Sequence, residues 1–305
     1  VTYAIGIDIG GTKTALGLVS SGGQVLSKTS LTTDLSLTPS DMVYKIAAAA
    51  KQLLSGSGLQ ESDLQGIGIG APGPLNTKLG QIAEPPNLRS WWNFPVVEAF
   101  KRHFQAPIVL ENDATAAALA EKWLGAAKAA DHFVYITIST GIGAGIYSHG
   151  RLITGATGNA GDIGHMVIDA GGPLCGCGQR GCFEYIASGT AIAREASSLL
   201  GRPVTSKEVF ELALSGQDAA MESLVNRVFN YIGIGCVTMI NTLDPEMVVI
   251  GGGVSQVGAP LFDAVRSYVK RHALNPSGRD TLIVPAALQQ DAGLIGAAAL
   301  IHTHY

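Results

Sequence analysis

Apolar, β-prone residues fill positions 3–9 and 14–20, with Gly10-Gly11-Thr12-Lys13 between them, and a third such run covers 24–32. Three runs joined by short glycine-rich turns predict an antiparallel meander. From 39 to 55 the spacing changes, and Met42, Val43, Ile46, Ala47, Ala50, Leu53 and Leu54 fall at helical intervals. Ile67-Gly68-Ile69-Gly70 then reads as a buried strand, followed by a proline-rich loop over 72–95. A short helix at 95–104 leads to Ile108-Val109-Leu110, a strand ending at Glu111-Asn112-Asp113, with 114–127 helical behind it.

The order then restarts. Strands are expected at 133–138 and 145–148 around a glycine turn at 140–145, with a third near 151–154. Helices follow at 189–200, 205–215 and 217–241, then a strand at 247–250 that ends in Gly251-Gly252-Gly253. A helix at 259–273, a strand at 281–284 and an alanine- and glycine-rich helix at 291–302 complete the chain. Duplicated β-β-β-α-β-α lobes are the simplest account, giving an α/β protein. The expected boundary falls near 118–130, with a first lobe of 1–120 joined by 291–305 and a second of 121–290.

A length of 305 residues suits two domains of ordinary size. The 20 Lys and Arg against 24 Asp and Glu are scattered, and no basic run could neutralise successive phosphates. Nucleic acid is therefore not the expected partner. Gly, Lys, Asp or Pro interrupts each apolar stretch before the roughly 18 residues of a membrane span. The start, Val-Thr-Tyr-Ala-Ile-Gly-Ile-Asp, runs directly into a strand pattern without the profile of a secretory signal, so a cytoplasmic protein is expected. Of the four cysteines, Cys175, Cys177 and Cys182 cluster, a pattern of metal binding more than of a disulfide framework, while Cys236 lies in an apolar stretch as core.

Three glycine-bearing turns are candidates for anion binding. In Asp8-Ile9-Gly10-Gly11-Thr12-Lys13, backbone N–H groups freed by glycine can approach a phosphate, and a strand-end carboxylate can reach a phosphate-bound cation through water. A plain Gly-Gly hairpin fits the same residues. Thr137-Ile138-Ser139-Thr140-Gly141-Ile142-Gly143-Ala144-Gly145 repeats the device in the second lobe. Gly251-Gly252-Gly253 could carry adenine and ribose on backbone, or be an ordinary strand-to-helix turn. No Gly-x-x-x-x-Gly-Lys-Ser/Thr loop is present.

In this order and spacing the segments resemble the sugar-kinase branch of the actin-like ATPase superfamily, and more narrowly the ROK family of kinases, repressors and related reading frames, from Tyr3 to about Leu300. The most specific mark is Gly164-His165 followed by Cys175-Gly-Cys177-Gly-Gln-Arg-Gly-Cys182-Phe-Glu184. The resemblance implies a two-lobed, ribonuclease H-like fold with a cleft between the lobes, and ATP and Mg²⁺ as cofactors with a structural Zn²⁺. The zinc ligands it implies are His165, Cys175, Cys177 and Cys182. Three thiolates and an imidazole form a closed tetrahedral set, and glycines at 176, 178 and 181 let a short loop wrap one ion.

The same likeness makes Asp113 the catalytic base, although by position alone it could equally cap helix 114–127. Sugar contacts are implied for Asn112, Asp113, His165 and Glu184, with Gly73 and Asn87 in the loop over the pocket. Asp8, Gly10, Gly11, Thr12, Lys13, Thr140, Gly141, Gly143 and Gly251–Gly253 fall to the nucleotide and its Mg²⁺. Kinases of the family carry Glu-x-Gly-His where this chain has Asp162-Ile163-Gly164-His165, a carboxylate one methylene shorter at a sugar-contacting position. The expected activity is phosphorylation of O6 of a hexose, glucose first, with N-acetylglucosamine, N-acetylmannosamine or fructose as alternatives. A sugar-sensing regulator is the rival class, but it needs a DNA-binding module, and none is read ahead of Tyr3. A homodimer is the family's common assembly.

Overall fold

The computed structural model describes residues 1–303, apart from the side chain of Gln290; the last two residues of the expected segment 291–305 lie outside that range. The chain opens with β1 (Tyr3–Ile9), β2 (Lys13–Ser20) and β3 (Val25–Thr32), then α1 (Pro39–Gly56) and β4 (Leu64–Ala71). The proline-rich loop contains a small hairpin, β5 (Leu75–Asn76) and β6 (Gln81–Ile82), which the residue pattern does not announce. After it come α2 (Val96–Lys101), β7 (Ile108–Asn112) and α3 (Asp113–Trp123). The second run comprises β8 (Phe133–Ile138), β9 (Ile142–Ser148), β10 (Arg151–Leu152), α4 (Phe183–Ala187), α5 (Gly189–Leu200), α6 (Ser206–Leu214) and α7 (Ala219–Leu243). It ends with β11 (Met247–Gly251), α8 (Ala259–His272) and β12 (Leu282–Pro285), before α9 (Ala292–His302).

Two five-stranded sheets result, ordered β3-β2-β1-β4-β7 and β10-β9-β8-β11-β12. In each, an antiparallel meander is extended by two parallel strands, so the expected repeat is present. Contacts divide the chain into two compact units: Val1–Ala129 with Gly145–Gly161 and the chain from Ala287 on, and Ala130–Ala144 with Asp162–Ala286.

In the first unit β1 is apolar on both faces because helices cover both. Ile5, Ile7 and Ile9 join Met42, Val43 and Ile46 of α1 in the core, while Ala4 packs with Leu294 and Ala298 of α9. The helix α1 starts where Thr38 Oγ1 accepts the Asp41 N–H at 3.2 Å, with Pro39 in its first turn. On the other face α9 lies backbone to backbone. A Cβ at Gly68 would stand 1.7 Å from Ala297 O, and one at Gly296 would stand 2.2 Å from Ala116 O of α3. Two glycines thus let α9 wedge between the sheet and α3, where any larger residue would push it out.

In the second unit β8, β11 and β12 run parallel, with Val249 beside Tyr135 and Val284. Asp218 caps α7 by accepting the N–H groups of Ala220 and Met221. Among the described residues α7 is the one helix long and apolar enough to cross a membrane. More than half of that apolar stretch is buried against neighbouring helices, as in a core helix.

Candidate active site and metal centre

Register places the polar residues of the first unit in one row. Asp8 of β1 pairs with Gly70 of β4, Gly70 with Glu111 of β7, and Ala71 with Asn112, so these residues lie at the carboxyl ends of parallel strands. The cap of α3 is Asn112, not Asp113. Its Oδ1 accepts from Ala114 N at 3.0 Å and Thr115 N at 3.2 Å. Asp113 is thereby left as the first helical residue, with one oxygen accepting Ala114 N at 2.7 Å.

Asp8 and Asp113 flank Gly70: a Cβ there would lie 3.7 Å from Asp113 Cα and 3.9 Å from Asp8 Oδ1. Asp8 is also seated on the first turn of α9, where a Cβ at Gly293 would come within 2.1 Å of its Oδ2. Burial, and then the charge of Asp8, push the Asp113 carboxyl up to about 7. Burial raises Asp8 to about 6 against the pull of Lys13, and raises Glu111 to about 7 although its Oε1 accepts Asn112 N. Two neighbouring carboxyls that resist joint ionisation form a place suited to a proton acceptor and to a cation.

The other first-unit candidates gather nearby in part. Gly10 N donates to Lys13 O at 2.9 Å to close the hairpin, whose Thr12 O accepts Thr33 N. Gly11 abuts Asn87, with Asn87 O 3.2 Å from the place of a Cβ. Gly73, joined to Pro74 by a cis peptide bond, lies beside Asn112 Nδ2 and Asn159 Oδ1. Asn159 was not anticipated. Its Oδ1 accepts Leu75 N and its Nδ2 donates to Leu75 O, both at 2.8 Å, so it splints the loop after Gly73. A lone asparagine in a glycine-rich loop carries no sequence signal for such a role.

In the second unit, one ligand atom from each of His165, Cys175, Cys177 and Cys182 lies within 4.8 Å of the others. Cys177 and Cys182 sulfurs are 3.5 Å apart, and Cys175 Sγ is 3.8 Å from His165 Nδ1. Bonds of ~2.3 Å to sulfur and ~2.0 Å to nitrogen around one tetrahedral zinc require ligand separations of about this size. No disulfide competes, since all four cysteines are free. The Gln179 N–H leads in lowering Cys177 to about 6, while burial pushes Cys182 up to about 12. The donor set fits zinc.

The helix α4 begins directly after Cys182, so the metal loop also sets Glu184. Glu184 Oε2 accepts Ile142 N at 2.8 Å, and a Cβ at Gly141 would come within 2.3 Å of it. The hairpin through Thr140 and Gly141 therefore rests on Glu184, and Gly143 follows in β9. Asp162 immediately precedes the 3₁₀ turn Ile163–His165; it is exposed and its side chain does not cap that turn.

A cavity of about 550 Å³ opens beside the same hairpin, lined by Ser139, Thr140, Gly189, Thr190, Arg194 and Gly253 among others. Gly253 reaches it, whereas Gly252 packs on β8, where a Cβ would lie 2.4 Å from Ile138 O, and Gly251 packs on the Tyr135 hydroxyl. Gly189, Thr190 and Arg194, on α5, were missed by sequence reading. The start of α5 is docked on the end of β8, with Gly189 N donating to Ser139 O at 2.7 Å and Ala191 N donating to Ser188 Oγ at 3.2 Å, which sets Gly189 and Thr190 in the wall of the cavity.

A profile of the ROK family matches residues 4–304. The chain belongs to the ROK family. It is similar to a glucokinase of Thermotoga maritima, 36% identical over 97% of this chain and 96% of that one. An N-acetylmannosamine kinase of Shigella boydii is 35% identical over 97% of both. Among solved structures, a ROK family glucokinase of Streptomyces griseus in complex with glucose and AMPPNP superposes with a TM-score of 0.82 at 32% identity, covering 98% of each chain. The fold is thus that of the actin-like ATPase sugar kinases, as the order of segments implied.

Proposed function

We propose that this ROK protein is an ATP-dependent hexose kinase that phosphorylates the 6-hydroxyl of glucose. The observation that carries the reading is Asp113: a carboxyl held near 7 at the start of α3, beside Asp8 at the end of β1. Such a group is matched to proton transfer at neutral pH. As the sugar oxygen bonds to the γ-phosphorus, Asp113 takes its proton, and the bond from that phosphorus to the bridging oxygen breaks with ADP as leaving group.

Asn112, Asp162, His165 and Glu184 hold the sugar hydroxyls, with Gly73 and Asn87 at its border. Gly10, Gly11, Thr12 and Lys13, together with Thr140, Gly141 and Gly143, serve the phosphates, and Gly251–Gly253 the adenosine end next to the cavity on α5. Asp8 would hold Mg²⁺ through water, and that ion, when bound, neutralises charge on the β- and γ-phosphates. His165, Cys175, Cys177 and Cys182 would hold a structural zinc that fixes His165 and Glu184. The lobes 1–120 with 291–305 and 121–290 are the working units of this reading. A cytoplasmic homodimer acting on small molecules, without nucleic acid or membrane, completes it; the scattered basic residues support that partner class.

The N-acetylmannosamine kinase relative and the shortened, exposed Asp162 favour N-acetylmannosamine as a second acceptor. A coupled ADP-release assay over glucose, mannose, fructose, N-acetylglucosamine and N-acetylmannosamine tests both. Glucose is expected to give the highest kcat/KM; a higher value for an N-acetylhexosamine reassigns the acceptor. No stimulation of ADP release by any sugar would remove the kinase reading.

A further inference from the structure

Far along α3 from Asp113 sits a carboxylate that the mechanism above does not use. Glu121 is fully buried. Its Oε2 accepts the N–H of Ala126 at 2.7 Å and of Ala287 at 3.1 Å, and its Oε1 accepts that of Leu288 at 2.9 Å. Three backbone donors from two segments remote in sequence thus converge on one side chain. The chain can turn back over it only because residue 125 is glycine, where a Cβ would fall 2.0 Å from Oε2.

The second of these segments runs straight into α9. Leu288 O accepts Asp291 N at 3.1 Å, α9 begins at Ala292, and Gly293 is the seat of the Asp8 carboxylate. Along its length α9 touches α3 backbone to backbone at Gly296 and Ala116. Apolar contacts through Ala120, Leu294 and Ile295 resist separation of the two helices, but such contacts are non-directional and set little against sliding. The hydrogen bonds of Glu121 are directional, and they tie the end of α3 to the entry of α9.

We propose that Glu121 is a positioning residue that fixes α9 along α3 and so sets where Asp8 stands relative to Asp113. The proposal rests on the kinase reading in that Asp8 there serves the phosphate-bound cation.

Glu121→Gln keeps the size but turns one acceptor into an NH₂ donor that faces backbone N–H groups. The Mg²⁺ concentration for half-maximal rate should rise about 10–100-fold, the usual cost of losing support behind a metal-binding residue. Glucose affinity, measured by calorimetry without nucleotide, should stay within about twofold, and zinc content should not change. Gly293→Ala, which disturbs the seat directly, should give the same split, and the double variant should lose less than the sum of the two. Unchanged Mg²⁺ dependence, or equal losses in Mg²⁺ and glucose, would overturn the proposal.

If Glu121→Gln does not fold, amide exchange in the wild-type protein decides. Ala287 and Leu288 should exchange as slowly as the core of α9, and free-loop rates would sink the clamp. A wild type without sugar-dependent ATP turnover would instead defeat the kinase reading, and the exchange result would still judge the clamp by itself.

Discussion

Asp8 and Asp113 in the first unit stand at the end of a strand and the start of a helix, whereas the histidine and cysteines of the second unit sit in a loop with little regular structure. Between His165 and Cys182 the chain has no helix or strand and is ordered by isolated bridges, Val167 with Cys182 and Leu174 with Arg180, and by turn hydrogen bonds such as Cys175 N to Gln179 O at 2.7 Å and Gly181 N to Pro173 O at 2.9 Å. The carboxylates are held by ladders, caps and the glycine contacts of α9, so they keep their places at the cost of raised proton affinity. The loop is framed by turns and isolated bridges alone, without ladder or helix behind it, and a metal ion held by its donor set would tie these turns together. A metal-built region should therefore fail when its ion is removed, and a ladder-built region should tolerate changes of charge.

Asp113→Asn tests the tolerant side most sharply. Turnover should fall by roughly two to four orders of magnitude, with glucose affinity little changed, because the side chain keeps its size and its bond to Ala114 N. Near-normal kcat in the purified variant would mean that Asp113 is not the base.

Cys177→Ser tests the other side. Metal analysis of the wild type should find one zinc per chain, and the variant should lose it, with sugar affinity falling about 10–100-fold while nucleotide binding holds. Retained stoichiometric zinc would break the contrast.

A smaller effect is expected at Asp162, beside the metal loop. Asp162→Glu should extend the carboxylate by a methylene and shift the preference between glucose and N-acetylhexosamines by about tenfold, the scale of one hydrogen bond. Identical specificity constants for every sugar would remove Asp162 from the sugar contacts.

The last consequence is for stability. Folding raises the Asp113 carboxyl from 3.8 to about 7, so its contribution is fully present below about 4 and is lost as pH rises through about 7. Asp113→Asn lacks that loss. Without ligands, the variant should gain on the wild type between pH 4 and 7, by up to roughly 4 kcal/mol at ~1.4 kcal/mol per pH unit, with no further change above. Parallel denaturant midpoints at pH 5 and pH 8 would contradict it.

The two regions also differ in how legible they are in sequence. The metal loop is local: histidine, cysteines and glycines stand within one short stretch, and residue chemistry alone points to an ion. The carboxylate row is assembled from β1, β4, β7, α3 and α9, so the residues at 8, 70, 113 and 293 meet only through strand register and helix packing. Periodicity found the long elements, including α1 and α7, but not α4 or the β5–β6 hairpin, which are too short to show a period. It offered Asp113 as the possible cap of the helix behind β7, whereas Asn112, whose side chain suits that place equally well, fills it. The α5 wall of the cavity was silent too, because serine and threonine at a helix start are as common without a ligand as with one.

On the proposed kinase reading, Asp113 accepts the proton of a sugar O6 as phosphate is transferred from ATP. Phosphorus NMR of parallel incubations with ATP, Mg²⁺ and glucose reads it directly. The wild type should accumulate glucose 6-phosphate and ADP in equal amounts, and Asp113→Asn with its zinc intact should form almost none. Orthophosphate as the only new phosphate species, or glucose 6-phosphate formed equally by both proteins, would contradict it.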